Sequence, residues 1–296
     1  MFKRICVIGV GLIGGSFAKA VRAHNLAAQI VGFGRADDVD NLRLAQTLGV
    51  IDEFYTDIAL AVDGADCVVL ATPVASTQSI LALLKPIWST ECVYFDVGST
   101  KGNVMAAATC VFGEVPENFI LAHPIAGAEQ SGVSAALNDL FVDKRLIITP
   151  LPSTSPTHLQ RVAQCWREIG AIVALMDVKQ HDSVLAATSH LPHLLAFALV
   201  EMLGHRDEKE DIFHYAAGGF RDFTRIASSD PLMWQAICFA NKHEILPLLD
   251  AFKAQLTHIQ QLLEHDDPAA LIALFTYANT ARQKFLQQTQ PPSQTR

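Results

Sequence analysis

The sequence predicts an α/β fold joined to an all-α one: an N-terminal Rossmann-type, doubly wound sheet followed by a helical domain. Three observations carry this. Short β-branched runs at 4–9, 29–33, 67–71, 92–97, 119–123, 145–149 and 171–176 have amphipathic stretches such as 14–24, 40–48, 76–85 and 100–112 between many of them. That alternation is the rhythm of βαβ units on a mainly parallel sheet. A glycine pattern then sits where the first strand meets the first helix. Finally, strand signals stop near residue 178, and long helical periods occupy 180–204, 231–263 and 267–287. The predicted boundaries are 1–177 for the dinucleotide-binding domain and 178–288 for the helical domain, with the polar, Pro-containing end 289–296 as a disordered tail. The loop "PLPSTSPT" at 150–157 is no boundary, because helix 157–169 and strand 171–176 follow it.

Composition narrows the function. The chain has 296 residues, half of them hydrophobic, and a formal charge of −8. The charge argues against nucleic acid, whose phosphates require an excess of Lys and Arg; an anionic small substrate requires a local basic pocket. Six cysteines (6, 67, 92, 110, 165 and 238) form no CxxC and lie mostly in apolar runs. They read as free thiols in a reducing compartment. The first strand, "RICVIGV", begins without signal-peptide architecture, so the expected location is the cytoplasm. The apolar segment 184–203 carries two His, a Ser and a central Pro. It reads as a buried helix rather than a membrane span. The helical domain is too apolar to stand alone, so a homodimer is expected.

"VIGVGLIGGS" supplies Gly9, Gly11 and Gly14 in GxGxxG spacing, with Leu12 and Ile13 opening the helix. The pattern follows a strand and opens a helix in a βαβ unit, the context in which it binds dinucleotides. Gly9 permits the tight turn, Gly11 leaves room for a pyrophosphate at the helix N-terminus, and Gly14 lets helix and strand approach closely. The second strand ends in "IVGFGRADD", where an NAD site usually places an acid about 20 residues on. Arg35 stands near that point instead, and a guanidinium suits a 2′-phosphate. The cofactor expected is NADP, or NADP and NAD alike, with Asp37 and Asp38 keeping NAD in play.

Ligands of open parallel sheets lie beyond the carboxyl ends of the strands. Gly9, Arg35, Thr72, Pro73, the run from Asp96 to Lys101, and His123 all fall at such ends. That shared edge marks His123, in "HPIAGAEQSG", as a site residue. In "DVGSTKG", Ser99 either caps the next helix, orients the His123 ring or bonds the nicotinamide region, and Lys101 either meets an anion or is solvated.

"GVGLIGGS", "DVGSTKG", "HPIAGAEQSG", "SHLPH" and "GGFRDFTRIASSDPLMW" together resemble the prephenate/arogenate dehydrogenase family of tyrosine biosynthesis, in the family's order over about residues 4–240. The resemblance implies oxidative decarboxylation of prephenate or arogenate with NAD or NADP, by a dimer. It implies that His123 contacts the substrate 4-hydroxyl, that Ser99 stands beside it and the nicotinamide, and that Arg225 holds the side-chain carboxylate. It places His190 and His193 along the substrate cleft, Asp222 and Trp234 at its mouth, and Gly218 and Gly219 near the partner's site. Arg35 departs from the acid of NAD-using relatives. Glu129 either orients a partner, meets the ammonium of arogenate or faces water. His190 and His193 share a helical face, yet no third ligand stands nearby, and no metal is expected. No fused mutase or regulatory segment is expected. The alternatives are another dehydrogenase of Rossmann-plus-helical build, of β-hydroxyacid or imine-reductase type, and a non-catalytic NADP(H)-sensing regulator.

Overall fold

In the computed structural model the described residues are 1–128 and 130–289. Glu129 and residues 290–296 of the expected tail lie outside them.

Six parallel strands form the main sheet: β1 (Phe2–Ile8), β2 (Ala27–Phe33), β3 (Glu53–Tyr55), β4 (Cys67–Leu70), β5 (Val93–Asp96) and β6 (Phe119–Ile120). Their order is β3-β2-β1-β4-β5-β6. The connecting helices are α1 (Leu12–Ala23), α2 (Val39–Thr47), α3 (Ile58–Val62), α4 (Thr77–Leu84) and α5 (Gly102–Phe112). Side chains alternate across a strand. Ile5, Val7, Cys67, Val69, Val93 and Phe95 therefore enter one apolar cluster, with Phe17 and Trp166. Cys6, Ile8, Val68, Leu70 and Tyr94 enter a second, with Leu81 and Val104. Both faces are covered, which is why these strands are apolar throughout.

A second sheet of three strands follows: β7 (Ala122–Pro124), β8 (Arg145–Ile148) and β9 (Ile172–Leu175), with α6 (Pro156–Glu168) between the last two. Here β7 runs antiparallel to β8, and β8 parallel to β9. The expected strand 119–123 is therefore two strands in two sheets, parted at Leu121. The expected set also lacks β3, whose three half-buried residues leave no alternating signal.

Beyond Asp177, which caps its first turn, α7 (Val178–Leu185) runs through one π turn at Ala186–His190 into α8 (Leu191–Glu210). Pro192 has no N–H to give to a preceding carbonyl, and a widened turn accommodates such a gap. The helix continues to Glu210 and so takes in most of the acidic run 205–213. The short helix α9 (Gly218–Thr224) was not expected, and α10 (Pro231–Ala240) and α11 (Lys242–Glu264) part at Asn241 where one period was expected. The last helix is α12 (Pro268–Thr289).

By packing, residues 1–245 form one compact unit and 246–296 another. The helices from α7 to α10 thus share a unit with the sheet, whereas the composition change lies at 177/178. Among the described residues one run, Val178–Asp207, has the length and composition of a membrane span, with mean hydropathy 1.5 and 22% of its window buried. The expectation of a buried helix is not met within the chain. One stripe, His181, Asp182, Leu185, Ala186 and His190, is packed, at the three-to-four spacing of a helix with one covered face.

Candidate active site

The glycine turn has the shape its spacing predicts. Gly9 has φ +92°, and a Cβ there would lie 2.8 Å from the Ala71 carbonyl oxygen. A Cβ on Gly14 would lie 2.1 Å from the Gly9 oxygen, so helix and strand touch through it. Gly11 differs: its Cβ would meet nothing within 4 Å. The chain itself does not require a glycine there, whereas a pyrophosphate lying against that backbone would. No side chain caps α1, so its first N–H groups are available to an anion. Leu12 and Ile13 pack against the core below. The Thr72 methyl lies 3.0 Å from the Cβ position of Gly9, which puts the end of β4 at the same turn, with exposed Pro73 next to it. Arg35 is exposed and pairs with Asp37 at 3.1 Å. Asp38 turns inward, its carboxyl pushed up by burial against the opposing effect of the Asn41 amide. These residues fit a dinucleotide.

His123 stands just beyond the carboxyl end of β6. The residue before it is held at both polar groups: the Ala122 N–H donates to Asp96 Oδ1 at 3.1 Å, and Lys101 Nζ donates to the Ala122 carbonyl at 2.6 Å and to Asp96 Oδ2. This corrects the expectation for Lys101. Its side chain has no exposure and is committed to Asp96 and Ala122, so it is neither solvated nor available to a cofactor. A long basic side chain reads as solvated until a buried carboxylate is found to meet it.

His123 Nδ1 lies 2.9 Å from His181 Nε2, and His181 Nδ1 lies 2.7 Å from Asp182 Oδ1. The Asp182 carboxylate also accepts the backbone N–H groups of Lys101 and Gly102, each at 2.8 Å, and so caps α5 from another helix. A carboxylate only accepts, so His181 Nδ1 carries the proton facing it. In the neutral ring His181 Nε2 is then an acceptor, and His123 Nδ1–H donates to it. The lone pair of His123 is left on Nε2, which has no hydrogen-bond partner among the described residues. Burial pushes His123 well below the usual imidazole range, with His181, Lys101 and His190 adding to the effect. Burial alone would raise Asp182, but the hydrogen bonds from His181 and the two amides hold it below the usual carboxylate range. Ser99 is half-buried at this edge but makes no hydrogen bond to His123. The orienting partner of His123 is His181.

Asn241 joins this chain to the next histidine. Its amide donates to the Asp182 carbonyl at 2.8 Å and lies 3.1 Å from His190 Nδ1. Burial pushes His190 down to about 4. His193 Nδ1 donates to the Ser189 carbonyl at 2.8 Å, and its ring stacks on Trp234, 3.6 Å between centroids at 19°. The Trp234 indole is buried, and its Nε1 has no hydrogen-bond partner among the described residues. His193 is lowered by burial first and then, against its bond to Ser189, by the Arg225 charge, so Arg225 lies within electrostatic reach of this ring. Among the described residues no group of three or more His, Cys, Asp or Glu is placed to hold a metal. Asp222 and Gly219 lie exposed on α9, and no hydrogen bond ties them to the histidines.

The nucleotide-binding domain of the prephenate dehydrogenase family matches residues 17–175, and the dimerization domain of the same family matches 177–277. The chain belongs to the prephenate dehydrogenase family. A cyclohexadienyl dehydrogenase of Zymomonas mobilis subsp. mobilis is 35% identical over 285 residues, covering 95% of this chain and 96% of that protein. A prephenate dehydrogenase of Bacillus subtilis is 35% identical over 284 residues, covering 95% of this chain and 75% of that protein. The crystal structure of prephenate dehydrogenase from A. aeolicus in complex with hydroxyphenyl propionate and NAD+ matches with a TM-score of 0.89 at 35% identity, over 96% of this chain and 99% of that one.

This member of the prephenate dehydrogenase family is an oxidoreductase with a nicotinamide-dinucleotide domain. The matches over nearly its full length set aside the other dehydrogenase types and the non-catalytic regulator. Sequence reading missed His181, Asp182 and Asn241. The adjacent His181-Asp182 pair in the first turns of α7 is a faint signal, and nothing near it in the chain points to His123.

Proposed function

We propose that the enzyme oxidises a cyclohexadienol with loss of its ring carboxylate, converting prephenate to 4-hydroxyphenylpyruvate, arogenate to tyrosine, or both. The observation that carries this reading is His123: a buried neutral ring with Nδ1 committed and Nε2 unbonded among the described residues, at the sheet edge that also holds the glycine turn. When bound, a nicotinamide dinucleotide supplies the acceptor for the hydride that leaves ring C4. His123 Nε2 accepts the proton of the 4-hydroxyl as the carbon–oxygen double bond forms. His123 returns that proton to the same oxygen when the carboxylate departs as CO2 and its electron pair closes the aromatic ring. No proton is released overall. A positioned base of this kind is worth roughly 10²–10⁴ in rate.

Arg225 binds the side-chain carboxylate as a bidentate fork. The departing carboxylate is better left without a strong cation, which would stabilise the ground state, and Lys101 is too deeply committed to supply one. Ser99 lines the nicotinamide side, while His190, His193 and Trp234 line the cleft. Asp222 shapes its mouth, Gly219 serves the partner's site, Glu129 orients a partner or meets the ammonium of arogenate, and Gly9, Gly11, Gly14, Thr72 and Pro73 hold the dinucleotide. Arg35 is exposed and pairs with Asp37, which supports use of NADP, or of both cofactors. A second copy of the chain covers the open face of α7–α8, giving a cytoplasmic homodimer with the domain boundary at 177/178.

The test is a two-by-two assay of prephenate and arogenate against NAD and NADP. Turnover of at least one substrate is expected, with NADP serving at least as well as NAD. No turnover with either substrate overturns the substrate assignment, and strict NAD use overturns the role given to Arg35.

A further inference from the structure

We propose that His181 and Asp182 are positioning residues for the reaction: through His181, the Asp182 carboxylate fixes the tautomer of His123 and balances the charge that arrives on it. The inference rests on the reading of His123 as proton acceptor.

The problem it answers is electrostatic. A cation formed on a buried ring is costly unless an opposite charge compensates it. Among the described residues the titratable and charged groups facing His123 come from three places. His181 and Asp182 lie on α7, His190 on the π turn, and Asp96 and Lys101 at the end of β5 and on the segment that follows it. Lys101 and Asp96 are paired, so together they carry no net charge. The histidines offer none or the wrong sign. Among the described residues Asp182 is the remaining negative charge, and the hydrogen-bond chain runs to it with steps of 2.9 and 2.7 Å. His181 has no exposure and the Asp182 side chain 10%, so water screens the chain little. The carboxylate is kept ionised by the N-terminus of α5, whose Lys101 and Gly102 amides donate to its two oxygens. Because His123 returns its proton, the pair need not export it. It has to make the imidazolium tolerable for the time between the two transfers.

A merely structural role, capping α5, is separable from this one. Asp182→Asn keeps the side-chain shape and an oxygen able to accept from Lys101 and His181, but removes the charge. His181→Gln keeps an acceptor for His123 Nδ1–H and disconnects it from Asp182. Both are to be assayed for kcat, KM and pH profile beside His123→Asn, with thermal melts to establish folding. Expected for each is a kcat lower by roughly tenfold or more with KM little changed. The acid limb of kcat should move down by about one pH unit, since the base has lost a favourable charge. The double variant should lose little more than either single one. An unshifted acid limb, or losses that multiply in the double variant, overturns the proposal. If Asp182→Asn does not fold, His181→Gln alone decides, by its kcat and by the position of its acid limb. If His123→Asn is inactive while the other two resemble wild type, only this proposal falls. If His123→Asn is fully active, the reading beneath it falls as well.

Discussion

Lys101 Nζ donates to the carbonyl of Ala122 at 2.6 Å, so a fully buried ammonium grips the backbone one residue ahead of His123. The same nitrogen meets Asp96, which in turn accepts the Ala122 N–H. Lys101→Met leaves Asp96 as an unpaired buried charge. The expected loss is about 3–5 kcal/mol in chemical denaturation, with much of it recovered when Asp96→Asn is added. Dinucleotide affinity of the folded variant should stay near wild type, because Lys101 does not reach the cradle.

Gly11 and Gly14 are expected to separate binding from folding. Gly14→Ala forces a Cβ to 2.1 Å from the Gly9 oxygen, a backbone atom with no room to yield. It should lower Tm, at a cost of roughly 1–3 kcal/mol. Gly11→Ala meets nothing within 4 Å and should leave Tm unchanged while weakening dinucleotide binding in titration calorimetry. Equal effects on Tm would contradict the geometry.

His123 and Arg225 should divide the steady-state parameters. His123→Asn is expected to lower kcat by roughly 10²–10⁴ with modest change in KM. Arg225→Ala should chiefly raise KM for the substrate and leave KM for the dinucleotide alone. The reverse pattern would exchange the two roles.

Stability should fall as the solution is acidified below the ordinary imidazole range. His190 has its pKa lowered from 6.5 to about 4 by burial, and His123 is lowered in the same direction. Between those values the unfolded chain binds protons that the folded chain refuses, so acid favours unfolding. The expected result is a plateau above pH 6.5 and a decline towards pH 4, read from denaturant midpoints. Asn241→Ala, which removes the amide beside His190, should alter the decline without altering the plateau's upper limit.

Local rules made much of this molecule legible. The glycine turn could be read because Gly9 and Gly14 answer to steric demands set within a few residues and at the neighbouring strand end. The main strands were legible because a sheet covered on both faces selects apolar residues at every position. His123 stood out because its strand ends at the edge where ligands bind. Arg225, His190 and His193 came from the motif resemblance rather than from any pattern of their own.

What tertiary structure alone decided were the partners. The amide of Lys101 meets Asp182 across 81 residues, and His123 meets His181 across 58. Neither segment carries a mark of the other, since a hydrogen bond between distant elements is chosen by how their helices and strands pack. The same holds for Lys101, whose burial depends on finding Asp96, and for Leu121, where one apolar run divides between two sheets. Periodicity and turn chemistry act over a few residues and specify where chains bend and which faces are covered. The direction in which a buried proton points is set by the carboxylate at the far end of its chain of contacts, and only folding brings that carboxylate there.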